Sequence, residues 1–253
     1  VNERYLLEWL SSNAGRGYVT YDEGSGEFSL SPEQAAVFAR EDQPTCIQGL
    51  IQGVVGQFVK EDITVDVFKT GQGRPWGEHH ECCFCGTERF FRPAYAGHLL
   101  SEWIPALEGV EAKLKVGAKV ADIGCGLGTS SLLMAEQFPN STIHAYDFHA
   151  PSIEEAKKRA MEKGLSNLEF FVSDAASVSR EGYDLACIFD AWHDMGDPVG
   201  VAKAIKESLA DDGTFMVVEP MALDGLKNNL EDNPGAAMFY GFGTLVCVPA
   251  SKA

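Results

Sequence analysis

Residues 122–128 read Asp-Ile-Gly-Cys-Gly-Leu-Gly, three glycines behind a carboxylate, and the combination restricts what can bind there. Gly124 and Gly126 let backbone approach a ligand without interference from a Cβ, and Gly128 stands where a helix opens. A dinucleotide fingerprint of the form G-x-G-x-x-G would place its third glycine at 129, which is Thr129. Asp122 would oppose a pyrophosphate but suits an ammonium or a sulfonium. The loop therefore fits a cationic nucleoside better than a nicotinamide dinucleotide. Asp147 ends the next apolar run, 19 residues after Gly128, where a carboxylate accepts from ribose hydroxyls. Asp174 ends the run after that and is placed to accept from an adenine amino group. Taken singly, each acid also reads as a helix cap.

The segment IFDAWHDMGDP, residues 188–198, holds the candidate groups for proton transfer. An acceptor hydroxyl must lose a proton when it is alkylated, and a histidine, with an ordinary pKa near 6.5, is suited to take it at neutral pH. His193 is the candidate base. The competing reading is a local hydrogen bond, with Asp197 before Pro198 capping the next helix. Asp190 stands to touch substrate or cofactor, and Glu219, at the end of a later strand, to orient His193. Trp192 reads as pocket wall or as packing. Phe148 and His149 follow the ribose acid and flank the adenine position, helix capping being the alternative for His149. Phe90, Phe91, Arg92 and Tyr95, in FFRPAY, read as a lid or as packing between domains.

HHECCFC, residues 79–85, offers His79, His80, Glu81, Cys82, Cys83 and Cys85 as soft-metal ligands. The spacing is too tight for a C-x-x-C knuckle and no second pair follows, so a local loop or helix is the preferred reading. No metal ligand is assigned.

These residues need elements to position them. From about residue 117 strand and helix patterns alternate, the mark of a parallel sheet. Strands are predicted at 119–124, 141–147, 168–174, 183–190 and 213–220, and helices at 128–138, 151–164 and 199–210. The fold class is α/β, a Rossmann-like doubly wound sheet. Ahead of it, residues 1–30 read as a helix and a hairpin around Asp-Glu-Gly-Ser-Gly, the end of a winged-helix module, followed by helices at 32–40 and about 44–59. The division is residues 1–100, a winged-helix remnant with a helical dimerisation and lid region, and residues 101–253, the Rossmann-like domain. GTLVCVPAS, 243–251, reads as a last strand. The start inside a helical pattern and the few residues after Pro220 suggest that segments at both ends are missing.

The 20 Lys and Arg against 37 Asp and Glu give −17, which repels phosphate backbones and welcomes cations. Residues 1–60 alone carry Arg4, Arg16, Arg40 and Lys60 against eight acids, so DNA is an unpromising partner. No apolar run reaches the roughly 18 residues a membrane span needs. Seven cysteines, an odd number and mostly scattered, favour reduced thiols and the cytoplasm.

VADIGCGLGTSS, AYDFHAPSI and VSDA resemble the successive motifs of class I S-adenosylmethionine-dependent methyltransferases. TERFFRPAYAGHLLSEWIPALEGVEAKL, HDMGDPVG and MVVEP are similar to a bacterial subfamily with an N-terminal winged helix. The resemblance implies S-adenosylmethionine in the crevice, with Asp122, Gly124, Cys125, Gly126 and Gly128 near its methionyl part. It likewise implies Asp147 at the ribose and Asp174 near the adenine, where Ala175 follows it; Phe148 flanks the adenine, and Asp190 stands toward the substrate or the sulfonium side. WHDMGDP also resembles the HDW-x-D segment of plant-type small-molecule O-methyltransferases, whose histidine is the base, with Met195 in place of the tryptophan. The expected function is methylation of a small molecule, at oxygen, by a homodimer joined through the N-terminal module. A transcription regulator that senses the cofactor, and a cofactor-binding protein without transferase activity, are the alternatives.

Overall fold

The computed structural model describes all 253 residues. Asn2 accepts from the Arg4 amide and opens α1 (Glu3–Gly15), none of whose residues is buried. A two-stranded antiparallel ribbon follows, β1 (Thr20–Asp22) against β2 (Glu27–Ser29), with Thr20 opposite Ser29. Its turn is held by the Asp22 carboxylate, which accepts from the amide and hydroxyl of Ser25. Ser31 caps α2 (Pro32–Phe38) in a reciprocal capping box with Gln34.

Next come α3 (Gln48–Val59), α4 (Glu61–Thr70) and α5 (Glu81–Ala94), and α5 runs on as π-helical turns through Tyr95–Trp103. α3 and α5 meet backbone to backbone. A Cβ on Gly49 would lie 2.4 Å from the Phe90 nitrogen, and one on Gly86 2.4 Å from the Gly53 nitrogen. Arg89 of α5 clamps the contact by donating to Glu41, Gln48 and Gln52.

After α6 (Val110–Val116) the chain builds its sheet through β3 (Lys119–Ile123), α7 (Thr129–Gln137), β4 (Thr142–Asp147), α8 (Ala150–Glu162) and β5 (Leu168–Val172). It continues through β6 (Tyr183–Phe189), α9 (Pro198–Ser208) and β7 (Leu209–Val218). The five strands are parallel in the order β5-β4-β3-β6-β7, the predicted Rossmann-like arrangement. β3 is buried from Val120 to Ile123 and β6 from Leu185 to Phe189 because both sheet faces are covered. Val120 and Leu185 pack on one side with Leu99, Leu114 and Met134; Ala121 and Ala186 pack on the other with Val201 and Ile205.

Two expectations change. β7 begins at Leu209 rather than 213, because its pairing with β6 jumps from Tyr183–Leu209 to Leu185–Thr214 and takes in an irregular segment. GTLVCVPAS is helical, not a strand. α10 (Leu226–Asp232) and α11 (Ala236–Phe242) lead into π-helical turns over Gly243–Cys247 and then α12 (Val248–Ser251). A strand would put Thr244, Val246 and Val248 on one face, yet Val246 is buried and its two neighbours are exposed. The Arg74 amide donates to Pro249 O at 2.8 Å and ties this helix to the segment after α4. β7 is left at the sheet edge. No helix is long and apolar enough to cross a membrane.

The close crossing of α3 and α5 makes a stability prediction. Gly49→Ala should lower unfolding free energy by about 3 kcal/mol, the upper range for overpacking, read from urea midpoints. Gly97→Ala, with nothing within 4 Å of its added carbon, should be neutral or stabilising in the same assay.

Candidate active site

The sheet reverses its winding between β3 and β6, so no crossover covers the carboxyl ends of those strands, where an open α/β sheet binds its ligand. A cavity of about 700 Å³ opens there. Its walls include Glu88, Asp147, Asp174, Asp190, Asp194 and Asp197, and no lysine or arginine.

The loop after β3 forms one end. The amides of Gly124 and Cys125 both donate to Tyr146 O, at 2.8 and 3.0 Å, which pins the loop to β4. Gly124 has φ +76°, and a Cβ there would sit 2.8 Å from that of Ala191. Asp147 accepts from the Gly126 amide on one oxygen and the His149 amide on the other, both at 2.8 Å. Burial raises its carboxyl above the usual range, against those two amides. Asp174 caps the 3-10 turn Ala175–Ser177 by accepting from Ala176 N at 2.7 Å. Gly124, Cys125, Gly126, Asp147, Phe148, Asp174 and Ala175 all line the cavity.

Asp122 and Gly128 do not line it. The Asp122 carboxylate turns beneath the loop and accepts from the hydroxyls of Ser130 and Ser131 in the first turn of α7. Its other oxygen is buried without a partner, and burial pushes the group up to about 6. The expected place of Asp122 beside a bound cation thus becomes a buried one beneath the loop, which it braces from within. Gly128, at φ +79°, lets the loop settle on Ala156 and Phe170, each 3.0 Å from where its Cβ would stand.

At the exit of β6, Asp190 is the only non-glycine residue at positive φ, +50°, a conformation aspartate tolerates better than most side chains. Its amide donates to Val218 O at 2.8 Å, and Tyr95 of the π-helical segment donates to its carboxylate at 2.7 Å. Burial, chiefly, pushes Asp190 up to about 6. Nδ1 of His193 bonds to Glu219, whose other oxygen accepts from the Trp192 amide at 2.7 Å. Glu219 thus acts on His193 from behind and does not line the cavity. Burial works against a charged His193 ring, but Cys247, Glu219 and Asp194 together outweigh it and hold the proton well above the usual imidazole range.

The far end is apolar. Leu50 of α3, Phe90 and Phe91 of α5, and Met238, Phe239 and Phe242 of α11 wall it. The last three, with Val246 and Cys247, were not among the candidates from the sequence, because an apolar run carries no local sign of facing a ligand. Glu88 was missed too; it accepts from Thr129 at 2.7 Å and ties α5 to the glycine loop. Trp192 packs on Phe215, and the His149 ring, bonded to Ser152, packs on Phe84; neither lines the cavity. Arg92 pairs with Glu41. In the cysteine-rich segment His80 caps α5, and no three of its candidate ligands gather within 4.8 Å.

A family described as "Methyltransferase domain" matches residues 114–248, more than half of the chain. The ubiquinone biosynthesis O-methyltransferase of Actinobacillus pleuropneumoniae serotype 5b is 31% identical over 105 residues, 39% of this chain and 44% of that protein. The aklanonic acid methyltransferase DauC of Streptomyces sp. strain C5 is 42% identical over 108 residues, 42% of this chain and 49% of that protein. The chain thus spans less than half the length of these two relatives. A solved O-methyltransferase family protein from Burkholderia thailandensis superposes with a TM-score of 0.70 at 13% identity, over 98% of this chain and 74% of that one, which shows a shared fold.

The brace at Asp122 has a pH signature. Its folded-state pKa, about 6, lies above the ordinary aspartate value of 3.8. Folding therefore loses stability as pH rises from about 4 to about 6, by roughly 2–3 kcal/mol for a wholly buried group. Melting temperatures across that window should fall more steeply for the wild type than for Asp122→Asn, whose side chain does not ionise.

Proposed function

We propose that this chain, which belongs to the methyltransferase-domain family, transfers a methyl group from S-adenosylmethionine to an oxygen of a small, largely apolar molecule. The observation that carries the reading is the charge of the cavity: six carboxylate side chains on its walls and no lysine or arginine. A pyrophosphate cofactor would bring negative charge into that field, whereas a sulfonium nucleoside brings positive charge. Asp147 receives the ribose hydroxyls on lone pairs left over by its two amides, and Asp174 receives the adenine amino group on its free oxygen. Phe148 and Ala175 flank the base. Gly124, Cys125 and Gly126 admit the methionyl chain, and the methyl group faces Asp190 and His193.

Methyl transfer from sulfur is an in-line substitution, so holding acceptor and donor about 3–3.5 Å apart supplies much of the rate. The aromatic wall from α5 and α11 supports an apolar acceptor, and the names of the two relatives support a small one. His193 takes the acceptor's proton, oriented by Glu219 through Nδ1. The positive sulfonium nearby lowers its hold on the proton it carries in the empty site, which frees a lone pair for the acceptor. Pairing of two copies through residues 1–100 belongs to the same reading: α1 exposes Tyr5, Leu7 and Trp9.

Incubation with methyl-labelled S-adenosylmethionine and a panel of phenols, amines and carboxylic acids tests this directly. Label should appear on a phenol. His193→Ala should lose about a hundredfold in turnover, the lower range for a general base, without weakening cofactor binding. Asp147→Ala should weaken cofactor binding about tenfold, or 1.4 kcal/mol. Tight cofactor binding with no acceptor labelled, or full turnover by His193→Ala, would count against the enzyme and the base respectively.

A further inference from the structure

Three side chains from two distant segments meet beside the apolar end in a combination that methyl transfer does not call for. His193 and Asp194 lie on the 3-10 turn after β6, and Cys247 lies on the π-helical turns before α12. One ligand atom from each (an imidazole nitrogen, a carboxylate oxygen and the thiol sulfur) falls within 4.8 Å of the others. His193 Nε2 and Asp194 Oδ1 stand 3.4 Å apart. Around a tetrahedral ion with bonds of about 2.0–2.3 Å, ligand atoms are separated by roughly 3.3–3.8 Å. The His193–Asp194 pair already has this separation, and the Cys247 sulfur lies within 4.8 Å of both.

Further features distinguish it from a chance cluster. Asp194 Oδ1 is buried and makes no hydrogen bond; it faces the His193 ring across 3.4 Å, an ion-pair contact that a bound cation would replace. Glu219 occupies Nδ1 of His193 and leaves Nε2 for a ligand, as outer carboxylates do for metal-bound imidazoles. All three residues line the cavity, so a fourth position would open onto it. The scaffold is fixed on both sides: the Met195 amide donates to Trp192 O at 3.1 Å, and Arg74 holds Pro249.

We infer that His193, Asp194 and Cys247 form a binding site for one borderline-soft divalent cation of the zinc class. A thiolate, an imidazole and one carboxylate suit zinc, whereas magnesium or calcium would need an oxygen cage. Binding releases two protons to solvent, the thiol proton as the metal–sulfur bond forms and the Nε2 proton of the His193 ring as the metal–nitrogen bond forms. The site itself is independent of the methyl-transfer reading; only its effect on turnover rests on that reading. An ion on Nε2 occupies the lone pair that receives the acceptor's proton, so the loaded protein turns over more slowly and a chelator restores it.

The test uses the full chain without a histidine tag, stripped by chelator, equilibrated with Zn²⁺, desalted and analysed by elemental mass spectrometry. Wild type should retain about one equivalent, as expected of a single site with three protein ligands and one open position. His193→Ala and the near-isosteric Cys247→Ser should retain none, while Cys82→Ala retains as much as wild type. Co²⁺ in place of Zn²⁺ should give a thiolate-to-metal charge-transfer band that Cys247→Ser abolishes, with S-adenosylhomocysteine binding used to verify that the variants are folded. No zinc retained by wild type, or equal retention by folded Cys247→Ser, overturns the site. Zinc retained at one equivalent with turnover unchanged upholds the site and overturns His193 as base.

Discussion

Between β3 and β6 the parallel sheet changes the side on which its crossovers lie, and two neighbouring strand ends are left uncovered. Everything in the site follows from that gap. The loop leaving β3 must turn tightly back toward α7, which glycines at 124, 126 and 128 permit in left-handed conformations. The loop leaving β6 must turn away from it, and Asp190 accepts a left-handed backbone to do so. Carboxylates at the strand ends then face one another across a space from which lysine and arginine are absent.

Such a gap would be open to water on one side without the helical region. α3 and α5 close it because glycines let their backbones touch, and Tyr95 then reaches the sheet to bond Asp190. Glu88 makes the matching bond to Thr129 over the glycine loop. Two polar contacts, one on each lip, thus register the roof to the floor. Burial has an electrostatic cost, seen in the raised carboxyls of Asp122, Asp147 and Asp190. A positively charged ligand offsets part of it, which links binding to the same charges that strain the empty site.

How much of this was legible in the chain varies with the range of the interaction. Strand and helix alternation is local, so the sheet and the positions of Asp147, Asp174 and Asp190 at its rim were readable from apolar runs and their ends. The orientation of a side chain at a strand end is not local. Asp122 reads as a ligand contact until Ser130 and Ser131 are seen to draw it under the loop. Residues 243–251 show why short β-branched runs mislead: Thr244, Val246 and Val248 favour a strand in isolation, but only one side of the segment finds an apolar surface, at helical spacing. Cys247 could not be placed beside His193 by any pattern within its own segment, since that neighbourhood exists only after the turns that follow α11 reach the segment after β6.

The two ends of the cavity are built from different materials. Rigid strand ends and their loops form the acidic end, while surfaces of α3, α5 and α11 form the apolar end. Residues at the two ends that do not touch each other should combine nearly additively in their energetic effects. On the proposed methyl-transfer reading, exchanging Leu50, Met238, Phe239 or Phe242 would change the acceptor while the hold on the nucleoside stays constant. On that reading, acceptor choice belongs to the helices and donor choice to the sheet.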